Sequence, residues 1–466
     1  MQDRKRLQKL IKQSFNLREL RELADDLHVE WEEIAGETLT DKTRNLLTYL
    51  ERRKRIPFLL ETVQEERPKV NWLETATDTT PSPYRGLKAF RLEDEPLFFG
   101  REALTSHLVA VAKEQSFIPV LGPSGSGKSS VVMAGLLPQL LRQGNWLLAS
   151  FRPGAKPFQA LMRALLRLLF PDNVAQQTKE LKQWLTLLRE KEVSLQDVIE
   201  RILDDHDPGT KILIVADQFE ELYTLCQDRK LRHNFLDQLL ELIDATREAA
   251  QPTNLFLLTL RSDFLGQAQN DYMAFTRALH SGHMVLMEPM DRSGLREAIK
   301  YPALNAGVGF ERHLVERIVD DIAEEPGQLP LLEFALDLLW EKRANNAITL
   351  AAYEEIGRVA GALAQYADQQ YEALTAAEQE QARQIFLKLV QPGEGTQDTR
   401  RLAKRVEVGK ESWPLVVKLA SQRLLVTNRN ANSEETVEMI HEALIWGWRR
   451  LQEWVDTDRI FLIQLK

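Results

Sequence analysis

The chain has 466 residues, which corresponds to about three domains at a typical size of roughly 150 residues. Its 60 basic and 69 acidic side chains give a net charge of −9, which argues against a protein that wraps DNA or binds membranes through a basic surface. A single cysteine, Cys226, excludes an intramolecular disulfide and a cysteine-rich zinc site, and is typical of a reducing cytosol. No apolar run reaches the roughly 18 residues of a membrane helix, and the N-terminus lacks a signal-peptide pattern. We therefore expect a soluble, cytoplasmic, multidomain protein without a membrane partner.

The first 72 residues have the pattern of an all-α helical bundle. Apolar side chains recur at helical spacing between Leu7 and Leu50, and the charged side chains around them are dense and balanced in sign. Residues 73–83 are rich in Thr, Pro and Ser and break this periodicity, which predicts a linker.

Short apolar strands alternate with helices over residues 84–290. Four runs have the length and composition of buried parallel strands. They are Ile118–Leu121, Leu147–Phe151, Ile212–Val215 and Leu255–Leu260. Strands separated by helices predict an α/β core with a parallel sheet and right-handed crossovers. Helical periodicity dominates residues 291–365, and residues 366–466 mix helices with β-type stretches at Leu424–Thr427 and Thr436–Met439.

Residues 122–129 match the phosphate-binding pattern G-x-x-x-x-G-K-[ST] in full, between a predicted strand and a predicted helix over Ser129–Leu141. Glycines let backbone N–H groups converge on phosphate oxygens, and the N-terminus of the helix adds partial positive charge. We expect Lys128 to reach the β- and γ-phosphates and the Ser129 hydroxyl to bind Mg²⁺. The expected nucleotide-binding residues of this loop are Gly122, Pro123, Ser124, Gly125, Ser126, Gly127, Lys128, Ser129 and Ser130.

Acidic side chains follow the third predicted strand. Asp217 comes at its carboxyl end, where it could hold Mg²⁺ together with Ser129. Glu220 and Glu221 are both candidates for polarising the attacking water, which needs a carboxylate near the γ-phosphate. Arg261 ends the fourth strand and could contact the γ-phosphate, and on spacing alone a surface arginine is an equal alternative.

These motifs together resemble the STAND class of signal-transduction ATPases, which includes apoptosome, NACHT and plant resistance ATPases. Tyr84–Phe90 and Phe98–Glu102 look like the entry segment of a bacterial STAND branch that is usually followed by WD-repeat propellers. That resemblance implies that Phe99, Gly100 and Arg101 lie near the adenine.

The same resemblance implies roles for the acidic and basic residues. Asp217-Gln-Phe-Glu-Glu-Leu is that branch's form of the Mg²⁺-binding strand, and Thr259-Leu-Arg261 matches its sensor arginine. The related Asp-Gly-x-Asp-Glu order of NACHT proteins favours Glu221 over Glu220 as the residue that positions water.

Two motifs extend the resemblance into the carboxyl half. Pro326–Phe334 resembles the Gly-x-Pro signature of the helical domain, with two residues rather than one between Gly327 and Pro330. Pro330 would then lie against the base. Val437–Ile445 resembles a winged-helix motif whose histidine, here His441, reaches the ADP β-phosphate in the resting state. On the residue alone, His441 would be a capping or half-buried histidine.

Residues 1–72 look like a bacterial death-like, effector-associated adaptor domain. The resemblance rests on Phe15–Arg21, Gly36, Tyr49–Arg55 and Arg67–Trp72. Such domains are helical bundles that pair with a matching domain fused to a protease, a TIR domain or another effector. An N-terminal oligomerisation bundle is the alternative.

The expected organisation has five parts. They are a death-like adaptor domain (1–72), a linker (73–83), a P-loop NTPase core (84–290), a helical domain (291–365) and a winged-helix domain with a C-terminal helix (366–466). The resemblance implies a slow, regulatory ATPase that holds ADP at rest and exchanges it for ATP with Mg²⁺. It would then form a homo-oligomer and recruit an effector in response to an unknown trigger, in antiphage defence or regulated cell death.

Two other functions are compatible with parts of the sequence. Winged helices can bind DNA, so an ATP-dependent transcription regulator is the first. The expected recognition helix, Trp413–Arg423, offers only Lys418 and Arg423, so we expect no nucleic-acid partner. The second is a metabolic P-loop kinase, which is disfavoured because the sequence shows no recognisable pocket for a second substrate. Members of the resembling branch continue into a sensor array, whereas this sequence ends at Lys466, as a truncated chain or a short natural protein would.

Overall fold

The computed structural model describes residues 4–73, 80–248, 254–322, 329–344, 346–393, 398–429 and 434–464. The chain divides into two compact units. The first comprises Met1–Lys88, Pro96–Gly100 and Met290–Lys466, and the second comprises Ala89–Glu95 and Arg101–Pro289. Most of the predicted linker, and residues 326–328 of the Gly-x-Pro segment, lie outside the described residues.

A helical bundle forms the amino-terminal part of the first unit, as the apolar periodicity predicts. Its helices are α1 (Arg4–Ser14), α2 (Leu17–Asp26), α3 (Leu39–Arg52) and α4 (Ile56–Glu66). Helix α2 begins with a capping box, because the Asn16 side chain accepts from the Glu19 amide while the Glu19 carboxylate accepts from the Asn16 amide. The bundle core contains Leu7, Ile11, Leu20, Leu23, Leu27, Ile34, Leu46, Leu47 and Leu50.

A five-stranded parallel sheet forms the centre of the second unit. Its strands are β1 (Phe117–Gly122), β2 (Trp146–Phe151), β3 (Lys211–Ala216), β4 (Asn254–Arg261) and β5 (Val285–Leu286), in the order β2-β3-β4-β1-β5. The four predicted strands are confirmed. Strand β5 was not predicted, because two residues are too short to show a periodicity. Strands β1 and β4 are buried along their whole length, which explains their continuous apolar sequences.

Helices surround this sheet. They are α5 (Glu102–Glu114), α6 (Lys128–Ser130), α7 (Leu137–Arg142), α8 (Pro157–Leu169), α9 (Val174–Glu190), α10 (Leu195–Asp204), α11 (Glu221–Thr224), α12 (Arg229–Glu248), α13 (Leu265–Asp271) and α14 (Met273–Ser281).

The helix after the phosphate-binding loop differs from the regular helix that the sequence predicts. Between α6 and α7 the chain forms a π-helical segment, Val131–Leu136, and the Leu137 amide donates to the Val132 carbonyl five residues earlier. The wider turn lies directly before Pro138, whose ring would crowd the carbonyl four residues earlier in a regular α-helix.

The carboxyl part of the first unit is mainly helical. Its helices are α15 (Arg292–Asn305), α16 (Leu314–Ile322), α17 (Leu329–Glu341), α18 (Leu350–Glu355), α19 (Arg358–Glu372), α20 (Ala376–Lys388), α21 (Arg405–Val408), α22 (Trp413–Ser421), α23 (Ala443–Gly447) and α24 (Arg449–Gln464). The strands are β6 (Gly309–Phe310), β7 (Ala347–Ile348), β8 (Val390–Gln391), β9 (Thr399–Arg400), β10 (Ala403–Lys404), β11 (Leu425–Arg429) and β12 (Glu435–Met439).

Strands β10, β12 and β11 form an antiparallel sheet in that order, and α22 packs against β11. The two β-type stretches predicted in this region are therefore strands. The bundle also contacts this part of the unit: α4 packs against α15, and Lys300 Nζ lies 2.5 Å from Glu61 Oε1. Within the described residues, none of the helices combines the length and apolarity needed to cross a membrane.

Candidate nucleotide-binding site

The register of the parallel strands brings the predicted site residues to one edge of the sheet. Gly122 pairs with Arg261 across β1 and β4, so the start of the phosphate loop and the predicted sensor arginine are neighbours. Asp217 follows the last paired residue of β3, and Thr259 is the next residue of β4 beyond that pairing. The carboxyl edge of an open parallel sheet is where such folds bind ligands.

The loop backbone depends on its glycines. Gly127, the residue directly before α6, has a φ of 87°, a left-handed conformation that residues with side chains disfavour. A Cβ at Gly122 would lie 2.6 Å from Met287 Cβ and 2.9 Å from Ser126 Oγ. The buried Ser126 Oγ has no hydrogen-bond partner among the described residues. A tight loop with an unsatisfied buried hydroxyl fits a group that supplies acceptors, as phosphate oxygens do.

Lys128 lies inside this loop. Its ammonium donates to the carbonyls of Gly122 at 2.9 Å and Pro123 at 2.8 Å. Burial lowers the pKa of Lys128, and the nearby negative charge of Glu220 opposes that effect. The cation is thus held among the residues that would surround phosphates. Ser130, two residues further, accepts a hydrogen bond from the Phe90 amide at 3.2 Å.

Three oxygens meet beside the loop. Asp217 Oδ1 accepts from Ser129 Oγ at 2.5 Å and from Thr259 Oγ1 at 2.8 Å. Thr259 Oγ1 in turn accepts from the Gln218 amide at 2.8 Å, which fixes the turn after β3. A carboxylate and a hydroxyl in contact form an oxygen donor set of the kind that Mg²⁺ uses, so the residues present fit this ion. Sequence reasoning named Thr259 only as part of a motif and missed this positioning role.

Glu220 faces the charged groups of the site. Burial raises its pKa to about 7, and the nearby Lys128 ammonium acts in the opposite direction. Its Oε2 also accepts from the Arg261 amide at 3.3 Å. Glu221 is the first residue of α11, and its amide donates to the Gln218 carbonyl.

Arg261 is a buried residue with an exposure of 4%, so the alternative of a surface arginine is wrong. Its guanidinium makes two hydrogen bonds to Asp263, from Nε at 3.1 Å and from Nη2 at 2.8 Å. Charge pairing of this kind fixes the orientation of the planar group.

Arg101 reaches the phosphate loop from the start of α5. Its guanidinium donates to the Glu288 carbonyl at 3.0 Å and to the Ser126 carbonyl at 3.4 Å, and the side chain is buried. It therefore connects the loop to the segment that follows β5. The preceding residues belong to the first unit, where the Phe99 ring packs edge-on against Tyr301 at 5.8 Å.

The remaining predicted residues, Gly100, Pro330 and His441, also lie in the first unit. Pro330 is half-buried in the first turn of α17. His441 Nδ1 accepts from the Ala443 amide at 3.0 Å, and burial lowers the pKa of the imidazole to about 3. A neutral ring that accepts at Nδ1 carries its proton on Nε2, so Nε2 is a donor.

Two family models match this chain. The model described as novel STAND NTPase 1 covers residues 83–466, and the model described as effector-associated domain 7 covers residues 7–68. The chain belongs to the novel STAND NTPase 1 family. This STAND protein is thus a P-loop NTPase with an N-terminal effector-associated domain, as the motifs predicted.

Two solved structures that match this STAND NTPase have low sequence identity to it. The ORC2 protein of Aeropyrum pernix, described as ADPNP–ADP complexes, is 13% identical, with 78% of this chain and 94% of that chain covered and a TM-score of 0.40. The Walker-type ATPase PABY2304 of Pyrococcus abyssi is 15% identical, with coverages of 76% and 96% and a TM-score of 0.34. No curated protein matches this STAND chain.

Proposed function

We propose that this STAND NTPase is a signalling switch that binds ADP and ATP with Mg²⁺ and hydrolyses ATP slowly. The observation that carries the proposal is the convergence of Lys128, Ser129, Asp217 and Glu220 at the carboxyl edge of the sheet. These residues supply a cation for phosphates, oxygen ligands for a metal and a carboxylate for a water molecule.

Each of these groups has a part in hydrolysis. Mg²⁺ bound by Ser129 and Asp217 would neutralise charge on the phosphate oxygens. Lys128 would bind the β- and γ-phosphates as a fixed positive charge. Glu220 would accept hydrogen bonds from the attacking water and orient it, and with a pKa of about 7 its carboxylate is available at neutral pH. The proximity of Glu220 to Lys128 favours it over Glu221, although the NACHT residue order favours Glu221.

Arg261 is suited to report the γ-phosphate. It is buried at the strand end beside Gly122, where the loop begins, and its guanidinium donates two hydrogen bonds to the carboxylate of Asp263. A phosphate would compete with Asp263 for the same planar donor. We propose that this exchange of partners is how the nucleotide state reaches the rest of the chain.

We propose that His441 binds the ADP phosphate and so stabilises the resting state, a role called here the lock. Its Nε2 donor is suited to an ADP phosphate, and its neutral form is maintained by burial across physiological pH. Helix α22 and the antiparallel sheet of β10, β12 and β11 support a winged-helix domain in residues 366–466, after a helical domain in 291–365 and the NTPase core in 84–290.

The effector-associated domain, residues 1–72, is proposed to act as the adaptor. On activation the chain would form a homo-oligomer in the cytoplasm and recruit an effector with a matching bundle, in antiphage defence or regulated cell death. The family descriptions support this only in general terms, through the effector-associated domain joined to a STAND NTPase.

The transcription-regulator alternative receives no support from the expected recognition helix. Lys418 Nζ lies 2.9 Å from Glu378 Oε1, and Arg423 pairs with Asp337 at 2.5 Å and Glu341 at 3.2 Å. Both cations of the helix region are thus bound to acids of the same unit. Contacts to DNA phosphates would require breaking these pairs.

Nucleotide binding is tested by replacing Lys128. Lys128→Ala should lower ATP and ADP affinity at least tenfold, on the order of 1.4 kcal/mol, because it removes the cation from the loop. Lys179→Ala, at an exposed position of α9, is the matched control and should bind as the parent does. Unchanged binding of Lys128→Ala by calorimetry would overturn the assignment.

Hydrolysis is tested with two variants of similar size. Glu220→Gln should bind ATP normally and hydrolyse it at least 10²-fold more slowly, because the carboxylate is lost. Glu221→Gln should retain activity if Glu220 orients the water. The reverse pattern would assign the role to Glu221, and parent rates for both would place the water-orienting group elsewhere.

A further inference from the structure

The guanidinium of Arg152 lies beside Asp217, the carboxylate that we propose binds Mg²⁺. Arg152 Nε lies 3.4 Å from Asp217 Oδ2, while Ser129 and Thr259 occupy Oδ1. The Asp217 side chain is 6% exposed and the Arg152 side chain is 43% exposed. The carboxylate is therefore contacted on both of its oxygens, and the guanidinium is the contact that retains access to solvent.

The strand register explains this position. Phe151 pairs with Ala216 across β2 and β3, and the Asp217 amide donates to the Phe151 carbonyl at 2.9 Å. Arg152 and Asp217 therefore each directly follow the last residue of their strand, and the two strands are neighbours in the sheet. Because β2 is at the end of the sheet order, Arg152 reaches Asp217 from the side of β3 opposite to β4, which carries Thr259 and Arg261.

The chemistry of this contact is competitive. A guanidinium and a divalent cation beside one carboxylate repel each other, and each reduces the negative charge that the other can use. From this repulsion we expect Arg152 to weaken Mg²⁺ binding at Asp217 by about tenfold, and no more than that because its side chain is 43% exposed and screened by solvent.

We propose that Arg152 is a positioning residue that competes with Mg²⁺ for Asp217 and so sets the metal dependence of nucleotide binding. This inference rests on the proposed function, because it concerns the same nucleotide and metal site. Arg152 stabilises the carboxylate in the absence of the metal and raises the Mg²⁺ concentration at which the metal–nucleotide complex forms. As a consequence, the site binds the metal–nucleotide complex only at a higher Mg²⁺ concentration than it would without Arg152.

The test is a Mg²⁺ titration of a fluorescent ADP analogue bound to the full chain, which requires no turnover. Arg152→Ala and Arg152→Gln should each lower the Mg²⁺ concentration at half-maximal change by about tenfold. Arg152→Lys, which keeps the charge, should shift it much less. Arg142→Ala is the matched control, because Arg142 pairs with Glu95 and is exposed, and it should titrate like the parent.

Two results obtained with the variants would overturn the inference. One is an unchanged or higher Mg²⁺ midpoint for both neutral variants. The other is a loss of ADP affinity of the same size in Mg²⁺ and in EDTA, which would mean that Arg152 contacts the nucleotide itself. Failure of the parent chain to bind the ADP analogue would overturn the proposed function together with this inference, whereas normal binding with an unchanged midpoint would overturn the inference alone.

Discussion

Replacing Glu220 with Gln should stabilise the protein in a pH-dependent way. Burial raises the pKa of this carboxyl from 4.5 to about 7. The folded protein therefore retains a proton at pH values where the unfolded chain has lost it, and stability falls as the pH rises from about 4.5 to about 7. The full loss of unfolding free energy caused by ionising Glu220 is present above pH 7, and none of it is present well below pH 4.5.

The magnitude follows from the pKa. At about 1.36 kcal/mol per pH unit, the penalty is roughly 3 kcal/mol at pH 8 and less than about 1 kcal/mol at pH 5. Glu220→Gln removes the ionisable group and so should recover most of it. For a unit of this size, the gain corresponds to a melting temperature higher by roughly 6 to 12 °C at pH 8 and by about 2 °C at pH 5.

Scanning calorimetry of the nucleotide-free protein at both pH values measures this difference. Glu221→Gln makes the same change of charge at the next residue and controls for a general effect of net charge. An equal gain for Glu220→Gln at pH 5 and pH 8 would contradict the buried, raised carboxyl, as would a pH-dependent gain of the same size for Glu221→Gln.

Substitutions at two further residues test other parts of the proposed switch. His441→Ala should release ADP about 10- to 150-fold faster, since a hydrogen bond to a charged phosphate contributes roughly 1.5–3 kcal/mol, and an unchanged dissociation rate would refute the lock. Thr259→Val keeps the side-chain shape but removes the hydroxyl bonded to Asp217 and Gln218, so the free energy of unfolding should fall by about 1–3 kcal/mol. Thr259→Ser retains the hydroxyl and should lose much less, and equal losses for Val and Ser would refute the role of the hydroxyl.

The motif residues could be identified from sequence because their chemistry is confined to a few consecutive positions. The phosphate loop and Asp217 both follow apolar strands, and the parallel pairing of these strands with β4 brings their carboxyl ends to one edge of the sheet. The partners of Asp217 could not be predicted in the same way. Thr259 and Arg152 become its neighbours only through strand register, which depends on packing across the whole sheet.

The burial of individual side chains also could not be predicted from apolar periodicity alone. Leu17 and Leu20 lie in the same apolar repeat, yet Leu17 is 42% exposed and Leu20 is fully buried, because Leu17 is the first residue of α2. Arg261 shows the opposite case. A charged residue at a strand end is usually exposed, whereas Arg261 is buried in an ion pair with the neighbouring Asp263 carboxylate.

The contact between α4 and α15 limits how the N-terminal bundle could be exchanged between proteins. Glu61 and Lys300 are about four-fifths buried, at 20% and 23% exposure, and each neutralises the other. A chimaera that received a different bundle without an acid at this position would leave a mostly buried ammonium without its counter-charge, at a cost of about 1–3 kcal/mol. A designer of such hybrids would have to transplant the acid with its lysine, so the exchangeable module is the bundle together with the face of α15 on which it rests.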